Sequence, residues 1–181
     1  MQVLNKMWWN KLIIMQRIKK PGFTLIELLI VVSIVMLLSA LTMMNIRSFR
    51  GLLVRTELEK LYATALYLQR VAQTTGQEQL LVIDVNHNTY VYQGQTEALP
   101  IGVQFGVSPG VLGPPGSPTH EITAATSFIH QRILFYPDGI IQSGTVYVTD
   151  GKRHTYALSN AVGHVSFLRK YRYDGSWQPL V

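Results

Sequence analysis

The 181-residue chain contains no cysteine. That absence excludes disulfides, thiolate metal sites and a cysteine nucleophile, without fixing the redox compartment. Charge is sparse too. Asp, Glu, Lys and Arg make up 14% of the residues against 48% hydrophobic ones, a balance too apolar for a disordered chain. Acids are the scarcer sign, 10 against 16 Lys and Arg, for a formal net charge of +6. Lys6, Lys11, Arg17, Lys19 and Lys20 precede residue 23 with no acid among them, and without these five cations the charge of +6 falls to +1. The high pI therefore describes mainly the N-terminal segment and is weak evidence for a nucleic-acid partner.

Catalytic patterns are missing as well. His87, His120, His130, His154 and His164 are scattered, with no paired metal-ligand spacing on one element. The loop around Gly110, Gly113 and Gly116 lacks the Gly-Lys-Ser/Thr of a phosphate loop, and its prolines remove backbone donors that such a loop needs. No nucleophile elbow frames a serine. The expectation is a non-enzyme with no cofactor and no metal.

What is present is a long apolar run. Residues 23–44 carry one formal charge, Glu27, and otherwise only the hydroxyls of Thr24, Ser33, Ser39 and Thr42, which a helix can satisfy internally. About 20 apolar residues span a bilayer core, so the run is long enough to cross a membrane. The five preceding cations put the N-terminus in the cytoplasm and the remaining chain outside. Arg47, Arg50 and Arg55 follow the span and oppose that orientation, but the leading cluster is larger. No small-residue cleavage site follows the run, as a secretory signal would need. The small residue lies before it, at Pro21-Gly22, where cutting would remove the basic leader and keep the anchor. Gly22 has no side chain to obstruct a protease. Glu27 lies about one helical turn beyond the new amino terminus. An acid in such a span is costly, so it is expected to have a function and a partner, here the freed ammonium of a neighbouring copy.

The stretch Lys19-Lys20-Pro21-Gly22-Phe23-Thr24-Leu25-Ile26-Glu27-Leu28-Leu29 resembles the class III prepilin signal of type IV pilins and type II secretion pseudopilins. The resemblance implies that a membrane-embedded prepilin peptidase cuts between Gly22 and Phe23, that Phe23 is N-methylated, and that Glu27 serves charge pairing during assembly with other pilin or pseudopilin subunits. The leader is longer than is usual for the family, which points to a start at Met7 or Met15 or to a leader lying on the membrane surface.

Beyond the span, Ile46, Phe49, Leu53, Leu58, Leu61, Tyr62, Ala65, Leu68 and Ala72 recur at three- and four-residue steps, with charged residues between them. This predicts an amphipathic helix packed on a domain and stopped near Gly76. From residue 79 the pattern turns to strands. Residues 80–85 and 89–92 read as a hairpin, 101–105 as a weak strand, 108–118 as a Pro/Gly loop, and 132–136 as a further strand. Residues 145–149 and 154–158 flank Asp150-Gly151, a hairpin signal. Residues 164–173 form a last strand before Asp174-Gly175 turns a short tail. The expected fold class is α+β: a long N-terminal helix, half transmembrane and half amphipathic, on an antiparallel sheet head. The expected organisation is a cleaved leader at 1–22, a transmembrane helix at 23–44, the amphipathic half at 45–76 and a β-rich head at 77–181. The pattern from Leu134 to Gly163 is similar to the GspH/FimT branch of minor pilins and pseudopilins. That resemblance implies a subunit that initiates or caps an envelope filament, at the bacterial inner membrane with its head outside the cytoplasm.

The tail interleaves cations and aromatics: Arg169, Lys170 and Arg172 with Tyr171, Tyr173 and Trp177. Such a pattern suits contact with DNA. It equally suits an edge strand whose cations block unwanted pairing. DNA-binding members of the FimT type carry a Gly-Arg-x-Arg motif, and the matching stretch Gly163-His164-Val165-Ser166 lacks both arginines. Uptake of DNA is thus the second expectation, and a single-span membrane protein that never assembles is the third.

Overall fold

The computed structural model describes residues 22, 24–117, 119–160 and 167–180, with the side chains of 41–48 outside that description. Residues 1–21 of the leader, Phe23 and the stretch 163–166 thus lie outside the described residues. The chain divides into two units, Met1–Met43 and Met44–Val181.

In the first unit, helix α1 (Leu25–Thr75) begins. Thr24 caps it: its backbone N–H and hydroxyl donate to the Glu27 carboxylate, both at 2.9 Å, and the Glu27 N–H donates back to the Thr24 hydroxyl at 3.3 Å. Two orphan donors are satisfied in a reciprocal capping box. Apart from Glu27, Ser33 and Ser39 the helix is apolar on every side from Leu25 to Ala40, and every side chain of this stretch is exposed. Ser33 and Ser39 donate their hydroxyls to the Leu29 and Val35 carbonyls, at 2.8 and 2.7 Å, so neither needs an outside partner. Among the described residues no helix is long and apolar enough to cross a membrane. The described side chains stop at Ala40, within an apolar sequence that continues to Met44.

In the second unit the same helix buries one stripe: Gly51, Val54, Leu58, Leu61, Ala65, Leu68 and Ala72, at alternating three- and four-residue steps. The stripe differs from the sequence reading at its start. Phe49 and Leu53 are exposed, while Glu57 is buried. Counting back from Leu58 in helical steps reaches Val54 and Gly51, and Phe49 and Leu53 fall outside that line. The helix ends as expected: Gly76 takes a left-handed φ of 67° and donates its N–H to the Ala72 carbonyl.

Nine strands follow among the described residues. Strands β1 (Gln79–Asp84), β2 (Thr89–Tyr92), β3 (Gln95–Ala98) and β5 (Arg132–Phe135) form one antiparallel sheet in the order β3-β2-β1-β5. Strands β4 (Gln104–Phe105), β6 (Gly144–Thr149), β7 (Thr155–Asn160), β8 (Arg169–Tyr173) and β9 (Trp177–Leu180) form the second, in the order β4-β6-β7-β8-β9. The helix stripe meets Leu81, Ile83, Ile133 and Phe135 of the first sheet and Val146, Val148, Tyr156 and Leu158 of the second in one core. The α+β class read from the sequence is the class observed.

Two strands were missed. β3 is turned by Gln93-Gly94, both at positive φ, a two-residue hairpin with an unexpected Gln at its first position. β9 is the short tail after Asp174-Gly175. It pairs with β8 and carries Pro179 on an edge, where no ladder donor is lost. The Asp150-Gly151 turn is wider than a tight hairpin. Its last pair is Thr149 with Thr155, leaving His154 in the loop rather than in the strand. The Asp150 side chain is the reason, because it gathers the backbone N–H groups of Lys152, Arg153 and His154.

Candidate functional site

At the start of the chain, Gly22 is exposed, and a Cβ built on it would meet nothing within 4 Å. Glu27 stands in the first turn of α1, among the exposed apolar side chains Leu25, Ile26, Leu28 and Leu29. Its carboxylate is held by Thr24, a partner that the sequence reading did not name. The Thr-x-x-Glu spacing ahead of an apolar run is a capping-box signature and could have revealed it. Phe23, the residue expected to become the methylated terminus, lies outside the described residues.

The structure separates the tail cations. Alternation along β8 puts Arg169 on one face and Lys170 and Arg172 on the other. Lys170 is largely buried. Its Nζ lies 2.8 and 2.9 Å from the two Glu59 carboxylate oxygens on α1, and 4.8 Å over the Tyr62 ring. The Arg172 guanidinium donates to Asp174 at 2.5 Å. Arg169 is exposed, with its guanidinium 4.9 Å over the Phe167 ring. Lys170 and Arg172 thus each have an acid as partner, and the three cations do not share one face.

Three residues missed by the sequence reading fasten the head to its helix. Asp150 Oδ1 accepts the N–H groups of Lys152, Arg153 and His154 at 2.9, 2.9 and 3.0 Å, and Oδ2 lies 2.8 Å from His154 Nδ1. Burial works to raise the Asp150 carboxyl, but the hydrogen bonds from the His154 ring and these backbone groups outweigh it and hold the carboxyl well below its ordinary value. The His154 ring is thereby pressed on the backbone of α1 at Gly51, where an added Cβ would stand only 2.9 Å from Cδ2. Asp150-Gly151 read as a turn because nothing in a sequence shows which helix residue a loop will touch. Among the described residues, no group of three or more His, Asp or Glu could hold a metal ion.

Over residues 17–43 the chain matches the prokaryotic N-terminal methylation motif. Among solved structures it is similar to the minor pseudopilin EpsH of the type 2 secretion system of Vibrio cholerae. The identity is 16%, over 65% of this chain and 94% of that one, with a TM-score of 0.45. None of the curated proteins matches it. The chain thus carries a prokaryotic N-terminal methylation motif at the start of one long helix that antiparallel sheets follow.

Proposed function

We propose that the protein is a minor pilin or pseudopilin that initiates or caps an envelope filament. Prepilin peptidase cuts between Gly22 and Phe23, Phe23 is N-methylated, and residues 23–44 anchor the subunit in the cytoplasmic membrane with its head outside. Superfamily members are structural subunits rather than enzymes, so this chain is a substrate of processing and not a catalyst. One observation carries the reading: a single carboxylate, Glu27, within the methylation motif and among apolar side chains that no described residue covers. On assembly it exchanges the Thr24 donors for the terminal ammonium of a neighbour, an attraction that low dielectric strengthens.

The tail geometry favours the filament reading over DNA uptake, since Lys170 and Arg172 are held by Glu59 and Asp174. Secretion is favoured within the filament reading because the DNA-binding arginine motif is missing from 163–166.

Two measurements test the proposal. Mass spectrometry of the protein from its host should find a chain beginning at methylated Phe23. An intact leader would refute processing. Glu27→Gln keeps an amide oxygen that can accept from Thr24, so it preserves the cap and removes the charge. That variant should be cut normally yet enter filaments at least tenfold less than the parent. Incorporation equal to the parent's would leave Glu27 as a helix cap and nothing more.

A further inference from the structure

A second site lies in the head, on the side of β6 where the segment 121–127 runs. That segment is held by backbone bonds: Tyr147 N–H to Ala125 O at 3.0 Å, and Ser127 N–H to Thr145 O at 2.8 Å. Between it and β6 is a cavity of about 240 Å³, lined by Pro114, Glu121, Ile122, Thr123, Ala124 and Tyr147 among others. At about 30 Å³ per water it has room for roughly eight waters, or for one long side chain.

Its polar groups divide into spent and unspent ones. Thr126 donates to the Thr145 carbonyl, and the Ser127 hydroxyl accepts the Thr145 N–H. Tyr147 is 98% buried, with 2% of its surface exposed, and its ring lies 5.8 Å from that of Trp177. Its hydroxyl makes no hydrogen bond among the described residues, and it is not one of the side-chain atoms sealed from solvent without a partner, so it keeps contact with water. Burial raises it to about 12, so it stays a neutral phenol with lone pairs to offer. Glu121, at the exposed rim, likewise has no hydrogen bond or ion pair among the described residues. The lining thus includes the unpaired carboxylate of Glu121 at the rim, the neutral Tyr147 phenol, and the apolar Pro114, Ile122 and Ala124.

We infer that this cavity receives a basic side chain, arginine or lysine, from another protein, with its methylenes along Pro114, Ile122 and Ala124 and its cationic head between the Glu121 carboxylate and the Tyr147 hydroxyl. An anion would be repelled by Glu121, and a purely apolar group would leave both unspent oxygens dry. A long cation satisfies both, and its apolar stem suits the walls. The site is independent of the filament reading and stands or falls separately.

The test uses the full chain in detergent micelles, labelled with fluorotyrosine, with the Tyr147 resonance assigned through Tyr147→Phe. It is titrated with N-acetyl-arginine amide, N-acetyl-lysine amide, the neutral N-acetyl-norleucine amide and glucose. At least one cation should shift that resonance saturably, with a dissociation constant of about 1–10 mM, the scale of a single side-chain contact. Glu121→Gln, a rim substitution, should weaken it at least fivefold, and norleucine amide should give no saturable shift. Silence from both cations, an equal response to norleucine amide, a response to glucose alone, or undiminished affinity in Glu121→Gln would each overturn the assignment.

Discussion

Residues 25–40 and 51–72 belong to one helix, and both are rich in leucine, yet they use it in opposite ways. In the first stretch the apolar side chains cover the whole circumference, and all are exposed, Leu37 by 63%. In the second they keep to one line, and Leu58, Leu61, Ala65 and Leu68 are fully or almost fully out of solvent. An amphipathic stripe is satisfied by its own domain, whereas a cylinder apolar all round needs an apolar surrounding that the described residues do not supply. Pattern, not amount, decides whether a helix is covered from within or from outside.

The same substitution should therefore have unlike effects in the two stretches. Leu58→Ala removes a fully buried side chain from the core shared by both sheets and should cost about 2–5 kcal/mol of head stability. Leu28→Ala should leave unfolding of the head unchanged in detergent and act only on insertion or assembly. Denaturant titration of both variants gives the contrast. An equal loss from Leu28→Ala would mean that the first stretch is also packed against the head.

The next effect comes from the latch. Asp150→Ala strips three backbone donors and an imidazole of their acceptor, which should cost about 1–3 kcal/mol. Because the folded carboxyl titrates below its ordinary value of 3.8, its stabilisation is complete above that pH and is lost as pH falls from there through the lower folded value. Thermal unfolding between pH 6 and pH 2 should show a steep acid decline in the parent and a shallower one in Asp150→Asn. Parallel curves would show that Asp150 titrates alike in the folded and unfolded chain.

Local signals made most of the architecture legible. The helix extent, its Gly76 stop and seven of the strand regions follow from periodicity and turn residues. β3 was missed because Gln95-Thr96-Glu97-Ala98 has no apolar alternation, being exposed at three of its four positions. β9 was missed because Pro179 argues against a strand unless the strand is at an edge. At the candidate site Glu27 stood out because a lone charge in an apolar run is visible in one dimension. The Lys170–Glu59 pair did not, since its members are 111 residues apart. Nor did Gly51, whose reason is a ring that arrives from a distant loop.

Gly51 marks where the packed stretch begins, and it sharpens the comparison through a change of sign. Alanine at a helix interior normally stabilises by about 0.5–1 kcal/mol over glycine. Here the new methyl would stand 2.9 Å from the His154 ring, which cannot swing aside while Asp150 holds Nδ1. Overpacking of this kind costs about 1–3 kcal/mol, so Gly51→Ala should be net destabilising by roughly 1 kcal/mol. In a His154→Ala background the same change should become stabilising. A double-mutant cycle measures this, and additive effects would show that ring and helix are not in contact.

The smallest expected effect lies on the polar side of the packed stretch. Lys170 bridges β8 to α1 through Glu59 and lies over Tyr62, but Glu59 remains part-exposed, so the pair is screened. Lys170→Met keeps much of the stem on the Tyr62 ring and loses only the charge. It should cost under about 1 kcal/mol, and that loss should shrink as salt is raised from 0.05 to about 1 M. The same variant bears on DNA: a cation already committed to Glu59 contributes little to phosphate binding. Any weak association of the chain with DNA should thus keep its salt slope in Lys170→Met and lose part of it in Arg169→Ala. A slope that drops by about one in Lys170→Met would mean that the ion pair opens for phosphate, and that β8 rather than the apolar helix is this protein's principal contact surface.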